Sequence, residues 1–307
     1  MSDMPYVVVI GGANIDIAGR PHARLVARDS NLGTVRLSQG GVGRNIAHNL
    51  ALLGIDTRLV TCFGDDELAD VLTRGCLDAG VDIAHSFVVP GAASSTYLYV
   101  TDEGGEMQLA INDMGILDAM TPERVEDRAT VLQGATAIVI DANLPAPTVD
   151  WVARHAHAPV FCDPISTAKA PRIAGSLGRL HALKPNRLEA ETLSGVSVVD
   201  EASAIEAART LLSSGLSQAF VSLGEDGVLC ADGREAVRLP LLPCRVTNTT
   251  GAGDAMMAGI IWGHLHDLGL ADAGLAGLAA SAIAVESDQT VSPHMSEENL
   301  VDRMSRA

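Results

Sequence analysis

Six short apolar runs recur along the chain, at Tyr6–Ile10 and at 58–63, 137–140, 160–162, 181–183 and 219–223, and they alternate with segments of helical period. Continuous apolar runs imply strands covered on both faces, the pattern of a parallel sheet rather than of an antiparallel one with a wet side. Between the first two runs Val42, Ile46, Leu50 and Leu53 fall on one helical face, and Gly54 supplies a stop signal. Further helices are expected over 67–79, 122–132, 148–156, 187–193 and 201–213, then over 252–268, 271–286 and 296–304. That order predicts an α/β fold with a doubly wound, mostly parallel sheet flanked by helices, as a single domain over residues 1–307.

Two segments, approximately 14–39 and 86–112, interrupt the alternation. The second reads as a β-hairpin, with Thr96-Tyr-Leu-Tyr-Val-Thr101, a turn at Glu103-Gly104-Gly105 and a return strand over 106–111. The first carries shorter strand-like pieces around 15–18 and 34–37. Together they predict a small sheet projecting from the main domain, placed to act as a lid, as a dimerisation surface, or as both.

Composition narrows the partners. A net charge of −17 argues against a nucleic-acid backbone or an anionic membrane surface. The longest apolar stretches, 6–10 and 255–262, are far shorter than the roughly 20 residues of a membrane span. The opening Met-Ser-Asp-Met-Pro-Tyr lacks the basic residues and apolar core of an export signal, so a cytoplasmic protein is expected. Cys62, Cys76, Cys162, Cys230 and Cys244 form no CxxC pair and read as reduced, largely buried thiols. Neither of the two lysines, Lys169 and Lys184, lies in a GxxxxGK[ST] motif, which excludes a P-loop site.

Chemistry concentrates in five places. Thr249-Thr250-Gly251-Ala252-Gly253-Asp254 precedes an apolar helical run: its glycines admit an anion to backbone N–H groups, and Asp254 is either a base beside that anion or a helix N-cap. Asn14 and Asp16, two apart beyond the first strand, point to one side and either bracket vicinal hydroxyls or form an Asx-turn. Gly40-Gly41-Val42-Gly43-Arg44-Asn45 marks a strand-to-helix transition, where Asn45 offers a donor and an acceptor. Asn186 and Glu189 have the spacing of a capping box, and the same pair suits phosphates and a water-coordinated Mg²⁺. Ser222-Leu223-Gly224-Glu225-Asp226-Gly227 is a tight turn that could flank a nucleotide.

In this order along the whole chain, the motifs resemble those of the ribokinase-like (PfkB) carbohydrate and nucleoside kinases, most specifically at 249–254. Segments 40–47, 110–114, 183–195 and 249–258 look most like the bacterial branch that phosphorylates pseudouridine. The resemblance implies an ATP- and Mg²⁺-dependent phosphotransferase acting on a ribose 5′-hydroxyl; another nucleoside, ribose, or a non-catalytic sensor role are the alternatives. It assigns Asp254 as the base, its pKa lowered by the helix N-terminus, and Gly251, Ala252 and Gly253 as the anion hole. It gives Asn14, Asp16, Gly41 and Asn45 to the ribose hydroxyls, Thr96 and Asn112 on the hairpin to the base or sugar, and Ser30 and Asn31 to the uracil edge. Asn186, Ser222, Gly224, Gly227 and Thr249 are implied at the nucleotide, and Glu189 at Mg²⁺ through water. Asn248 stands where many relatives carry Asp beside a monovalent cation, which leaves K⁺ activation open. Asp163-Pro-Ile-Ser-Thr-Ala-Lys169 replaces the Asp-x-Asn-x-Arg of many sugar kinases, favouring a nucleoside over a sugar phosphate; Lys169 is expected as a solvated surface lysine, with reach to a phosphate as the alternative. Lid sheets of relatives pair across dimers, so a homodimer through the lid is implied.

Overall fold

The computed structural model describes residues 5–306. The first four residues, on which the expectation of no export signal partly rests, lie outside the described residues. The chain opens with β1 (Tyr6–Ile10), β2 (Asn14–Pro21), β3 (Gly33–Gly40), α1 (Val42–Leu52), β4 (Asp56–Val60), β5 (Cys62–Phe63), α2 (Glu67–Asp78), β6 (Phe87–Val88), β7 (Thr96–Thr101) and β8 (Met107–Asp113). Next come α3 (Pro122–Glu126), α4 (Ala129–Gln133), β9 (Ala137–Asp141), α5 (Ala146–His155), β10 (Val160–Asp163), β11 (Ala182–Leu183), α6 (Arg187–Ser194), α7 (Glu201–Ser213) and β12 (Gln218–Ser222). It closes with β13 (Val228–Asp232), β14 (Ala236–Leu239), α8 (Ala252–Leu265), α9 (Leu270–Val285) and α10 (Glu297–Ser305).

An eight-stranded sheet in the order β14-β13-β12-β11-β10-β9-β1-β4 organises the molecule. The six strands from β12 to β4 are parallel, and β13 and β14 extend the sheet antiparallel. The apolar runs form these parallel strands because both faces are covered. Val8 and Ile10 of β1 join Ile138 and Ile140 in one core cluster. Val7 and Val9 join Val139, Phe161 and Phe220 in the other, under Met257, Ile260 and Ile261 of α8. Each such side chain contributes about 1.5–3 kcal/mol by leaving water. From β1 the chain turns to β4 on one side and later to β9 on the other, and ligands of open α/β sheets bind at the carboxyl ends of strands where the order reverses.

The four-stranded sheet β3-β2-β7-β8 is built from the two interrupting segments. Cross-strand pairing aligns Ser38, Asp16, Tyr97 and Asn112 in one row, with Arg36, Ala18, Tyr99 and Ala110 in the next row on the same face. The opposite face carries Leu37, Ile17, Leu98 and Ile111, then Val35, Gly19, Val100 and Leu109.

The expected elements shift in a few places. Strand 58–63 divides at Thr61 into β4 and β5, and helix 122–132 divides into α3 and α4 around Asp127 and Arg128. The lid strands 15–18 and 34–37 extend to eight residues each. The antiparallel pair β13 and β14 is an addition: Val228-Leu-Cys-Ala continues the apolar pattern after Gly227, across the turn at 224–226. All five cysteines are free; four are buried and Cys244 is half-buried. No helix among the described residues is long and apolar enough to cross a membrane.

Candidate active site

Consecutive parallel strands deliver polar groups to one end of the sheet: β9 ends in Asp141, β10 in Asp163, β11 is followed by Lys184, and β12 ends in Ser222. Asp141 and Asp163 are register partners. Asp141 Oδ2 accepts from the N–H groups of Gly12 (2.8 Å) and Gly43 (2.9 Å), and its Oδ1 from that of Asn143 (2.9 Å). A single buried carboxylate thus joins the exit of β1 and the start of α1 to the sheet. Burial first, and the charge of Asp163, push its pKa up, and the hydrogen bonds from Gly12 and Asn143 work against that rise. Lys184 Nζ lies 3.0 Å from Asp163 Oδ2 with both side chains under a tenth exposed. Burial works to lower the pKa of Lys184, but Asp163, Glu189 and Asp254 outweigh it and hold the ammonium charged, its pKa raised.

Asp254 enters this group from α8. The helix begins at Ala252 after Gly251, whose φ of 83° and a Cβ position only 2.0 Å from the Thr290 carbonyl oxygen leave room for glycine alone. Asp254 is therefore in the first turn and is not the N-cap. Its Oδ2 accepts from Asn45 Nδ2 of α1 at 2.8 Å. The expectation of a lowered pKa is corrected: burial first, then the charge of Asp163, push it up to about 8, against the Asn45 hydrogen bond and Lys184. The dipole of one helix end does not offset removal of the carboxylate from water. Beside it, Gly253 is exposed, and Lys184 Nζ stands 3.2 Å from where a Cβ on Gly253 would lie. The N–H groups of Gly253 and Asp254 have no backbone acceptor among the described residues, as the first turn of a helix requires. They are available to an anion.

On the lid side, Asn14 is buried at the start of β2 and its Nδ2 donates to Asp16 Oδ1 at 2.7 Å, which realises the same-side pair within a strand rather than an Asx-turn. Burial raises the Asp16 pKa, while Asn14 and Arg44 lower it. Gly41 precedes α1 with φ of 97°, its Cβ position 2.4 Å from the Gly12 oxygen. Asn112 shares the row of Asp16, but Thr96 pairs with Ile15 and Asp113, so the pleat puts it on the other face. Thr96 and Asn112 therefore do not act together on one side of the hairpin. Ser30 is exposed in the loop between β2 and β3. The Asn31 amide is taken up in closing that loop, accepting from Val26 N (2.8 Å) and donating to Val26 O (2.9 Å).

On the far side of Asp254, Asn186 and Glu189 form a complete capping box, with Asn186 N donating to Glu189 Oε2 (2.8 Å) and Glu189 N to Asn186 Oδ1 (3.0 Å). Burial raises the pKa of Glu189, followed by Asp163. Asn186 and Ser222 meet in an isolated parallel bridge, which brings those two motifs together. Gly224 and Gly227, with φ of 65° and 88°, bound the turn after β12. Asn248 Oδ1 accepts from Thr250 N (3.0 Å), and Thr249 is exposed beside the loop. Among the described residues no group of three or more His, Cys, Asp or Glu side chains is placed to hold a metal ion. Glu189, beside the Asn186–Ser222 bridge, is a single carboxylate of the kind that fits Mg²⁺, which keeps most of its waters and takes only one or two carboxylates.

Lys169 is half-buried and donates to Asn143 Oδ1, in place of the solvated position expected for it. Several site residues were not assigned to the site from the sequence: Asp141, Asp163 and Lys184 in the floor, and Tyr97 and Tyr99 in the lid. A charged residue closing an apolar strand signals the first three. The Thr-Tyr-Leu-Tyr alternation, with Tyr97 opposite Asp16 and the two rings 5.6 Å apart, signals the others.

Residues 4–297 match the model of the pfkB family of carbohydrate kinases. The chain is 38% identical to the pseudouridine kinase of Escherichia coli K12 across all of this chain and 99% of that protein. It is 35% identical to the uncharacterized sugar kinase YeiI of the same organism, over 97% of this chain and 83% of that one. The solved carbohydrate kinase from Agrobacterium tumefaciens superposes with a TM-score of 0.89 at 28% identity, covering 99% of this chain and 98% of its own.

Proposed function

The chain belongs to the pfkB family of carbohydrate kinases, phosphotransferases with an alcohol group as acceptor, and from that premise we propose that it transfers the γ-phosphoryl group of ATP to the ribose 5′-hydroxyl of pseudouridine. The observation that carries the reading is the Asn45–Asp254 pair: a buried carboxylate, in the first turn of α8, held beside free N–H groups at the carboxyl end of the sheet.

Asp254 takes the hydroxyl proton, and the loop at Gly251, Ala252 and Gly253 receives the charge of the phosphoryl group in transfer through the free N–H groups of Gly253 and Asp254, the Ala252 N–H being taken by Thr249 O (3.3 Å). A carboxyl with a pKa near 8 is a stronger base, once ionised, than an exposed one, although less of it is ionised at neutral pH. Asn14, Asp16, Gly41 and Asn45 hold the ribose. Asn112 and the Tyr97–Tyr99 pair face the base, with Ser30 and Asn31 as its outer contacts, while Thr96 stays on the opposite face of the sheet. Asn186, Ser222, Gly224, Gly227 and Thr249 line the nucleotide. Mg²⁺, when bound with ATP, supplies charge neutralisation at the phosphates, and Glu189 is the residue that would hold its waters. Asn248 brings no charge to a monovalent cation, so activation by K⁺ is expected to be weak.

The four-stranded sheet, segments 14–39 and 86–112 of one kinase domain, acts as the lid. Its outer face is apolar, with Val35, Leu37, Leu109 and Ile111 all more than half exposed, and a second copy of the chain is the occupant that would cover it. Five free cysteines suit a reducing compartment, the cytoplasm.

The deciding experiment incubates the protein with ATP and Mg²⁺ and a panel of pseudouridine, uridine, adenosine and ribose. Preferential turnover of pseudouridine is expected. Equal turnover of uridine and pseudouridine would sink the specific assignment, preferential turnover of ribose would favour the sugar-kinase reading suggested by the second relative, and no turnover would favour a sensor.

A further inference from the structure

We propose that Arg44 is a positioning residue that locks the Asn45 amide toward Asp254 and, through Gln39, ties that lock to the end of the lid strand β3. The inference rests on the reading of Asp254 as the base.

An asparagine amide has a donor end and an acceptor end, and its orientation is set by its partners. Arg44 Nη1 donates to Asn45 Oδ1 at 3.0 Å, while Asn45 Nδ2 donates to Asp254 Oδ2 at 2.8 Å. Reversing the amide would set donor against guanidinium and oxygen against carboxylate, so both bonds would be lost together. Arg44 is itself buried, and its Nε has no partner among the described residues. The side chain is anchored by its two Nη groups: Nη1 also donates to Gln39 O (3.3 Å), Nη2 donates to Gln39 Oε1 (2.9 Å), and Nη2 faces His48 Nδ1 at 3.1 Å. Burial and the Arg44 charge push His48 down to about 4, so the imidazole is neutral and accepts.

Gln39 is the penultimate residue of β3, opposite Ile15 of β2, and its Nε2 donates to Val71 O of α2 at 3.0 Å. A chain of hydrogen bonds therefore runs from the lid strand through Gln39, Arg44 and Asn45 to Asp254. The groups facing Arg44 are Asp16 of β2, the Cys76 thiol of α2, His48 of α1 and Asp254 of α8. Those facing Asp254 are Asn45, Asp141, Asp163 and Lys184. A displacement of β3 acts on Arg44 before it reaches the catalytic carboxylate, so the Asn45 donor is set correctly only when the lid strand is in place.

The test compares kcat against pH for the wild type, Arg44→Met, Arg44→Lys and Gln39→Leu, with melting temperatures measured in parallel. For Arg44→Met, kcat should fall about tenfold, the size of one charged hydrogen bond, and the rising limb should move up by about one pH unit. The KM for ATP should stay within about twofold, since neither partner faces the nucleotide. Arg44→Lys keeps the charge but not the fork and should recover part of both losses. Gln39→Leu, at the lid edge, should lower kcat about threefold, with a smaller upward move of the limb, and it decides the matter if Arg44→Met does not fold. A folded Arg44→Met with the limb unmoved, or Gln39→Leu indistinguishable from wild type, overturns the proposal. Retention of turnover in Asp254→Asn would remove the underlying reading as well, and so separates the two failures.

Discussion

Every residue of β1, β9 and β10 is buried, whereas β8 of the four-stranded sheet is exposed along its whole length. The two sheets contribute to the same site by different physics. In the main sheet, burial makes each charge expensive, so Asp141 is fixed by three N–H groups, Asp163 by Lys184, and Asp254 is raised to about 8. In the lid, the site-facing rows hold Asp16, Tyr97, Tyr99 and Asn112 on strands with few enclosing neighbours, which suits groups that must part for a substrate and then close over it. The comparison assigns the transfer step to the floor and the choice of acceptor to the lid, and substitutions in each can break that division.

The largest effect is expected at Asp254. Asp254→Asn keeps the shape and can still accept from Asn45, but it removes the base; kcat should fall by about 10² or more, with the KM for the nucleoside changed far less. The sign of the pH dependence follows from the raised pKa: activity requires the ionised form, so kcat/KM of the wild type should rise with pH, reach half its plateau near 8 and level off above it. A profile already flat between pH 6 and 9, or near-normal turnover by the variant, would refute the role.

Next comes Lys184. Lys184→Met leaves Asp163 buried without its partner, which should cost about 3–5 kcal/mol of stability, read as the free energy of unfolding in urea. The double variant Lys184→Met with Asp163→Asn removes both charges and should regain most of that loss. If the double variant is no more stable than the single one, the pair is not the reason for the loss.

These floor residues also show how far the sequence could be read. The apolar runs at 137–140 and 160–162 revealed β9 and β10, because continuous burial on two faces leaves a compositional trace. The same runs stop one residue short of Asp141 and Asp163, because a polar residue ends an apolar pattern whether or not it belongs to a site. The Asn45–Asp254 contact joins positions 209 apart in sequence, and no local pattern carries that information. The raised pKa of Asp254 was similarly out of reach. A helix start is visible in Gly251-Ala-Gly, but the carboxylates that act on Asp254, Asp163 and Asp141, come from two other strands, β10 and β9. In the lid, alternation was legible while register was not, and register decides which side chains share a face.

Tyr97 and Thr96 turn that last point into a test within the lid. Tyr97 lies in the row of Asp16 and Asn112, so Tyr97→Ala should raise the nucleoside KM by the equivalent of about 1–3 kcal/mol, the range for loss of an aromatic stacking partner, with the KM for ATP held. Thr96, one residue away, pairs with buried Ile15 and points to the opposite face. Thr96→Ala should therefore change the nucleoside KM by less than about twofold, within the ±0.5 kcal/mol typical of a substitution that touches no ligand. Steady-state kinetics on the two variants measure the face of the lid directly, because the residues are adjacent in sequence and differ only in the side to which the pleat sends them. A larger effect at Thr96 than at Tyr97 would mean that the acceptor meets the apolar face of the sheet, and that face would then be unavailable to a second copy of the chain.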